Sequence, residues 1–89
     1  MIERNVTLRN RAGLHARPSS VLVKKAAEFE SDFFVELSGY RVNGKSILGL
    51  MTLAAEEGSQ MKLILDGPDE EEAAEAIAAL FENRFHQHD

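Results

Sequence analysis

Residues 33–42 read Phe33-Phe34-Val35-Glu36-Leu37-Ser38-Gly39-Tyr40-Arg41-Val42, two alternating runs parted by a two-residue turn signal. Phe33, Val35 and Leu37 share one side and Phe34 and Glu36 the other, the period of a half-buried strand. Ser38-Gly39 then reverses the chain into a short strand through Tyr40 and Val42, so the pair predicts a β-hairpin. Phe34 points away from the core-facing set, and the sequence leaves open whether a neighbour covers it. Working outward, Ile2, Arg4, Val6 and Leu8 alternate with Glu3, Asn5 and Thr7, which predicts a strand over residues 2–8. Met61, Leu63 and Leu65 against Lys62, Ile64 and Asp66 give a fourth.

Three helical segments separate these strands. Ser19, Leu22, Val23, Ala26 and Phe29 recur at helical spacing and predict a helix from about Ala16 to Glu28. Asn43-Gly44-Lys45 is a turn ahead of Ser46, which reads as the N-cap of a short helix with the run Ile47-Leu48-Gly49-Leu50-Met51-Thr52-Leu53-Ala54. That helix is apolar nearly all round, and a domain this size can bury only about one face of it. With Leu50, Leu53 and Ala54 inward, Ile47, Leu48 and Met51 would form an exposed patch beside Ser46; the alternative is a fully covered helix. After Gly67-Pro68, Asp69 is expected to cap a last helix, with Glu72 at the capping-box position and Ala73, Ala74, Ile77, Leu80 and Phe81 as its buried stripe to about Arg84. The order strand, helix, strand, strand, helix, strand, helix predicts an α+β domain, a mainly antiparallel sheet covered on one face.

The 89 residues make one domain spanning 1–89, with no room for a second. Having no cysteine, the chain has neither disulfides nor thiol chemistry. A net charge of −5, from 15 acidic and 10 basic residues, disfavours nucleic acid and anionic membranes as general partners, so any phosphate affinity must be local. The start Met1-Ile2-Glu3-Arg4-Asn5 carries no basic segment followed by an apolar run, and no stretch approaches membrane-spanning length. A soluble cytoplasmic protein is expected. His86 and His88 sit in a polar tail and are read as a frayed end, not a metal site.

The chemistry concentrates in Gly13-Leu14-His15-Ala16-Arg17-Pro18. Proline lacks an N–H and is tolerated only in a helix's first turn, which places the helix start near Ala16 and His15 just outside it. Gly13 lets the backbone turn sharply ahead of His15. The free N–H groups of Ala16 and Arg17, the positive end of the helix dipole and the Arg17 guanidinium then make an anion site beside an imidazole. An imidazole so placed is suited to carry a phosphoryl group. Lys24 and Lys25 could form a solvated face or help dock an acidic partner. No second base, metal cluster or nucleotide loop accompanies His15, so a stand-alone enzyme has no supporting constellation.

The motif at 13–18, with Asn43-Gly44-Lys45-Ser46-Ile47-Leu48-Gly49-Leu50-Met51, resembles the HPr family of histidine-containing phosphocarriers of the bacterial phosphotransferase system. Over essentially the whole chain, that resemblance implies an open-faced β-sandwich of four antiparallel strands in order 1-4-2-3 with three helices on one face. It implies that His15 accepts a phosphoryl group on Nδ1 from enzyme I, itself phosphorylated by phosphoenolpyruvate, and passes it to a histidine of an enzyme IIA domain. Arg17 would stabilise the charge, and no cofactor would be bound. Ser46 matches the serine modified by an ATP-dependent HPr kinase/phosphorylase, and Lys45, Ile47, Leu48 and Met51 resemble its docking surroundings; Lys24 joins these as a candidate partner-docking residue. A monomer that is not itself an enzyme is expected. Ala12 stands where many members carry a small polar residue. Residues 67–73 and 79–81 resemble proteobacterial members, nitrogen-branch carriers among them, so sugar uptake and a regulatory phosphorelay both stay open, as does an interaction module controlled at Ser46.

Overall fold

The computed structural model describes residues 1–86. Its elements are β1 (Ile2–Thr7), α1 (Ala16–Ala26), β2 (Asp32–Leu37), β3 (Tyr40–Asn43), α2 (Ile47–Thr52), β4 (Gln60–Asp66) and α3 (Glu70–Glu82), with a turn over Arg84–His86. The strands form one antiparallel sheet in the order β1-β4-β2-β3. The hairpin at 33–42 is present as read: Ser38 and Gly39 both have positive φ, 52° and 84°, the handedness that matches strand twist in a two-residue turn.

Registers align the apolar positions across strands. Ile2 pairs with Leu65, Arg4 with Leu63 and Val6 with Met61, while Phe33 pairs with Leu65 and Val35 with Leu63. This face meets α1 and α3 in a core that includes Leu8, Leu22, Ala26, Leu50, Ile77 and Phe81. The opposite face carries Glu3–Lys62 and Glu36–Arg41 ion pairs. Phe34 lies there half-buried, with the Arg41 guanidinium 5.9 Å from its ring centroid, which answers the question its alternation raised. Ile64, opposite Phe34 in the ladder, is also buried there although it falls among outward positions.

Several boundaries differ from expectation. Leu8 leaves the ladder but stays buried, bonding through its backbone to Gly58 and Ser59. Helix α1 ends at Ala26, because Glu28 and Phe29 donate to carbonyls three residues back and tighten the chain into a turn. Ala54, expected inward, is exposed with φ of 50°, and Ala55 is buried in its place. Helix α3 ends at Glu82, and the chain turns left-handed at Arg84.

Asp69 is the N-cap of α3 by position but makes no side-chain cap bond. Its carboxylate instead accepts from the Glu30 N–H at 2.9 Å, the Ser31 N–H at 3.0 Å and the Ser31 hydroxyl, which ties the loop after α1 to the start of α3. The Ser31 hydroxyl foremost, with these amides, holds the Asp69 carboxyl below its ordinary range. A group whose folded pKa is depressed stabilises fully above its unfolded value and loses that contribution as pH falls through the folded one. The stability gap between wild type and Asp69→Asn should therefore be widest near neutrality and close below about pH 4, as measured by urea unfolding across pH. A gap constant from pH 7 to pH 2 would show that the charge adds nothing. Glu70, held low by the Gly67 N–H, is present in both proteins and cancels.

Candidate functional site

His15 stands at the N-cap position of α1 with extended backbone, φ −95° and ψ −163°. Its carbonyl accepts the Ser19 N–H at 3.0 Å, while its side chain makes no cap bond and is exposed. Pro18 has no N–H, so the amides of Ala16 and Arg17 are the two that α1 leaves at its opening, and no acidic side chain occupies that first turn. Arg17 is exposed and forms no ion pair among the described residues. Imidazole, two amides and guanidinium thus share one helix end, where the dipole favours an anion.

The loop carrying His15 is clamped from the other side. Gly13 has φ of 81° and donates to the Asn10 carbonyl at 3.0 Å, and Leu14 donates to the Ala55 carbonyl at 2.9 Å. A Cβ at Gly13 would run into that same carbonyl, so glycine is required both by handedness and by space. Ala55 follows α2 in the chain, which joins the two sequence motifs into one unit. Asn10 and Ala55 escape sequence reading because an asparagine in a loop and an alanine past a helix carry no local signal of a long-range contact.

Ser46 is the N-cap of α2: its Oγ accepts the Gly49 N–H at 3.0 Å, and its backbone N–H donates to the Asn43 carbonyl at 3.1 Å. Beside it, Ile47, Leu48 and Met51 are 39%, 79% and 41% exposed, while Leu50 is fully buried. The outward apolar patch is therefore real. Lys45 is half-buried with its ammonium on the Phe29 carbonyl at 2.9 Å, so its charge is held against the segment that ends α1. Lys24 is exposed in the last turn of α1. His86 is exposed, and His88 lies outside the described residues.

A groove of about 610 Å³ runs between β1 and the end of α3, past Arg4, Val6, Met61 and Phe81, and an apolar cleft of about 460 Å³ lies between Leu37, Val42 and Leu53; neither is lined by His15 or Arg17. An exposed imidazole outside both clefts suits a group that another protein's site must surround, not one that encloses a small substrate.

Comparison with known proteins agrees with this geometry. The family model for the PTS HPr component phosphorylation site matches residues 2–83. Phosphocarrier protein HPr of Treponema pallidum is 44% identical over 87 residues, covering 98% of this chain and 99% of the relative. The HPr-like protein Crh of Bacillus subtilis is 47% identical over 79 residues, covering 89% and 93%. Among solved structures, HPr-C-His from Thermoanaerobacter tengcongensis superposes with a TM-score of 0.94 at 41% identity, covering 99% of both chains. An HPr dimer from the same organism superposes at 0.78, also at 41% identity, covering 98% of this chain and 100% of that one. The expected fold, with strand order 1-4-2-3, is thereby met, and the chain belongs to the HPr family of phosphocarriers of the phosphotransferase system.

Proposed function

We propose that His15 takes a phosphoryl group from phosphorylated enzyme I and hands it to a histidine of an enzyme IIA domain, so that the chain is a stoichiometric carrier and not an enzyme. The observation that carries this reading is the exposed imidazole at a helix start that leaves the amides of Ala16 and Arg17 open, with Arg17 itself exposed and in no ion pair among the described residues. The Nδ1 lone pair attacks phosphorus as the bond from phosphorus to the donor breaks, and the group later leaves by the reverse displacement. Two amides and one guanidinium stabilise the phosphoryl oxygens only in part. A carrier needs that restraint, because strong stabilisation of the phosphorylated state would trap it. Phosphoenolpyruvate is the ultimate donor in this scheme, and no bound cofactor is needed. The chain acts as a monomer when docked, since His15 must enter a partner's site.

The test is a relay. Phosphoenolpyruvate, magnesium and catalytic enzyme I are mixed with an enzyme IIA domain, with and without this chain. Phosphate should reach the acceptor only when the chain is present, and transfer at equal rate in its absence would overturn the proposal.

Ser46 is proposed as a regulatory phosphorylation site for an HPr kinase/phosphorylase that docks on Ile47, Leu48 and Met51. A phosphate adds about −1.5 to −2 charge at a helix start, where the fold tolerates it, and beside an apolar patch, where docking does not. Ser46→Asp keeps a good cap residue, so it should fold normally yet accept phosphate from enzyme I about tenfold more slowly. An unchanged rate in the relay assay would remove the regulatory role. The likeness to Crh favours a second reading, an interaction module governed at Ser46. That reading is selected if partners bind the patch while His15 stays unphosphorylated.

A further inference from the structure

Arg84, Phe85 and His86 have φ of 56°, 57° and 62°, three successive side-chain-bearing residues in the left-handed region. Such backbone persists only where its surroundings over-determine it, and it tends to mark function. Here two fastenings hold it. Phe85 is 1% exposed, set edge-on to Phe81 with ring centroids 4.8 Å apart, and the turn packs on α1. The second is Asn10, whose Nδ2 donates to the Arg84 carbonyl at 3.0 Å across 74 positions of sequence.

Asn10 is fully buried, yet its Oδ1 has no hydrogen-bond partner among the described residues. An apolar side chain would fill that position without leaving a buried acceptor unmet, so packing alone does not account for an asparagine. The amide does one thing a hydrocarbon cannot, which is to tie the turn after α3 to the loop that carries His15. The carbonyl of Asn10 accepts from Gly13, and Leu14 is anchored to Ala55. The loop is thus held at Ala55 on one side and at Arg84 on the other.

We propose that Asn10 is a positioning residue for phosphoryl transfer: through the Arg84 carbonyl it makes the strained turn after α3 a brace that fixes the His15 loop for attack. This deepens the carrier reading and rests on it. A loose loop would still dock through Ile47, Leu48 and Met51 but would present the imidazole in many orientations, so the loss should fall on kcat and not on KM.

The experiment compares full-length Asn10→Leu, which keeps the side chain's branching and removes the donor, and Phe85→Leu, which loosens the turn without altering the loop's own residues, with Ile77→Val as a conservative control in the buried core. Amide hydrogen exchange of Gly13 and Leu14 and the kinetics of phosphorylation by phosphorylated enzyme I are measured on each, at temperatures matched for global stability. In Asn10→Leu and Phe85→Leu, the two amides should exchange about tenfold faster than in wild type, and kcat should fall about tenfold with KM within about twofold; Ile77→Val should show neither change. The proposal is overturned if exchange and kcat in both variants match the control, or if exchange quickens while kcat holds. Should one variant fail to fold, the other decides. A wild type that accepts no phosphate overturns both the positioning role and the carrier reading, whereas a phosphorylated wild type with unaltered variants overturns the positioning role alone.

Discussion

Truncating Phe33 to alanine should cost about 3–5 kcal/mol, the largest stability loss of any single substitution named here. Phe33 is 1% exposed on β2, between Leu65 of β4 and the helices. Its loss opens a cavity in the centre of the sheet. The ring also seats the turn ahead of Ser46: a Cβ at Gly44 would lie within it, and the Gly44 N–H donates to the Phe33 carbonyl at 2.8 Å. Without the ring, the turn before Ser46 loses its floor. A domain of this size commands only about 5–15 kcal/mol in all, so the variant should be marginal at 37 °C. Urea unfolding should show the midpoint falling with little change in slope; a loss below about 1 kcal/mol would mean that the core closes over the gap.

Gly13→Ala should damage function more than stability. The left-handed backbone at φ of 81° costs an alanine about 1–2 kcal/mol, and its Cβ meets the Ala55 carbonyl that receives the Leu14 N–H. Relief requires the loop to lift from Ala55, which breaks that bond and carries His15 with it. A displacement on the order of 1 Å at the attacking atom can cost about a hundredfold in rate, so phosphorylation by enzyme I should fall by about that factor while the protein remains folded at 25 °C. The amide resonances of Leu14 and Ala55 should move together. If transfer is unimpaired, the loop's seat on Ala55 does not set the geometry of attack.

How far the sequence revealed this molecule depended on the range of each interaction. Alternation at residues 33–42, 2–8 and 61–66, with Pro18 marking a helix start, conveyed the strands, the hairpin and α1, because each pattern is local. The site was legible for the same reason: a glycine, an imidazole and a proline within six residues carry their geometry with them, and Ser46 capped as its position suggested. Contacts across the chain were hidden. Asp69 looked like a capping residue because its neighbours are acidic, yet Glu30 and Ser31 claim its carboxylate. Phe85 fell between the expected end of the last helix and the polar tail of His86 and His88, with no role read for it, and one left-handed turn buries it. Ile64 had an outward register and is nonetheless buried, opposite Phe34 and Glu3 in the ladder, which no periodicity announces.

The proposed role of His15 as phosphoryl acceptor is tested most simply by mass. Wild type and His15→Ala should be incubated with phosphoenolpyruvate, magnesium and purified enzyme I, then weighed intact at neutral or alkaline pH, where a phosphoramidate survives. One phosphate is expected on the wild type, lost on acidification, and none on a folded His15→Ala. A folded wild type that stays unmodified with enzyme I of both the sugar and nitrogen branches, or a His15→Ala that is still phosphorylated, would contradict it.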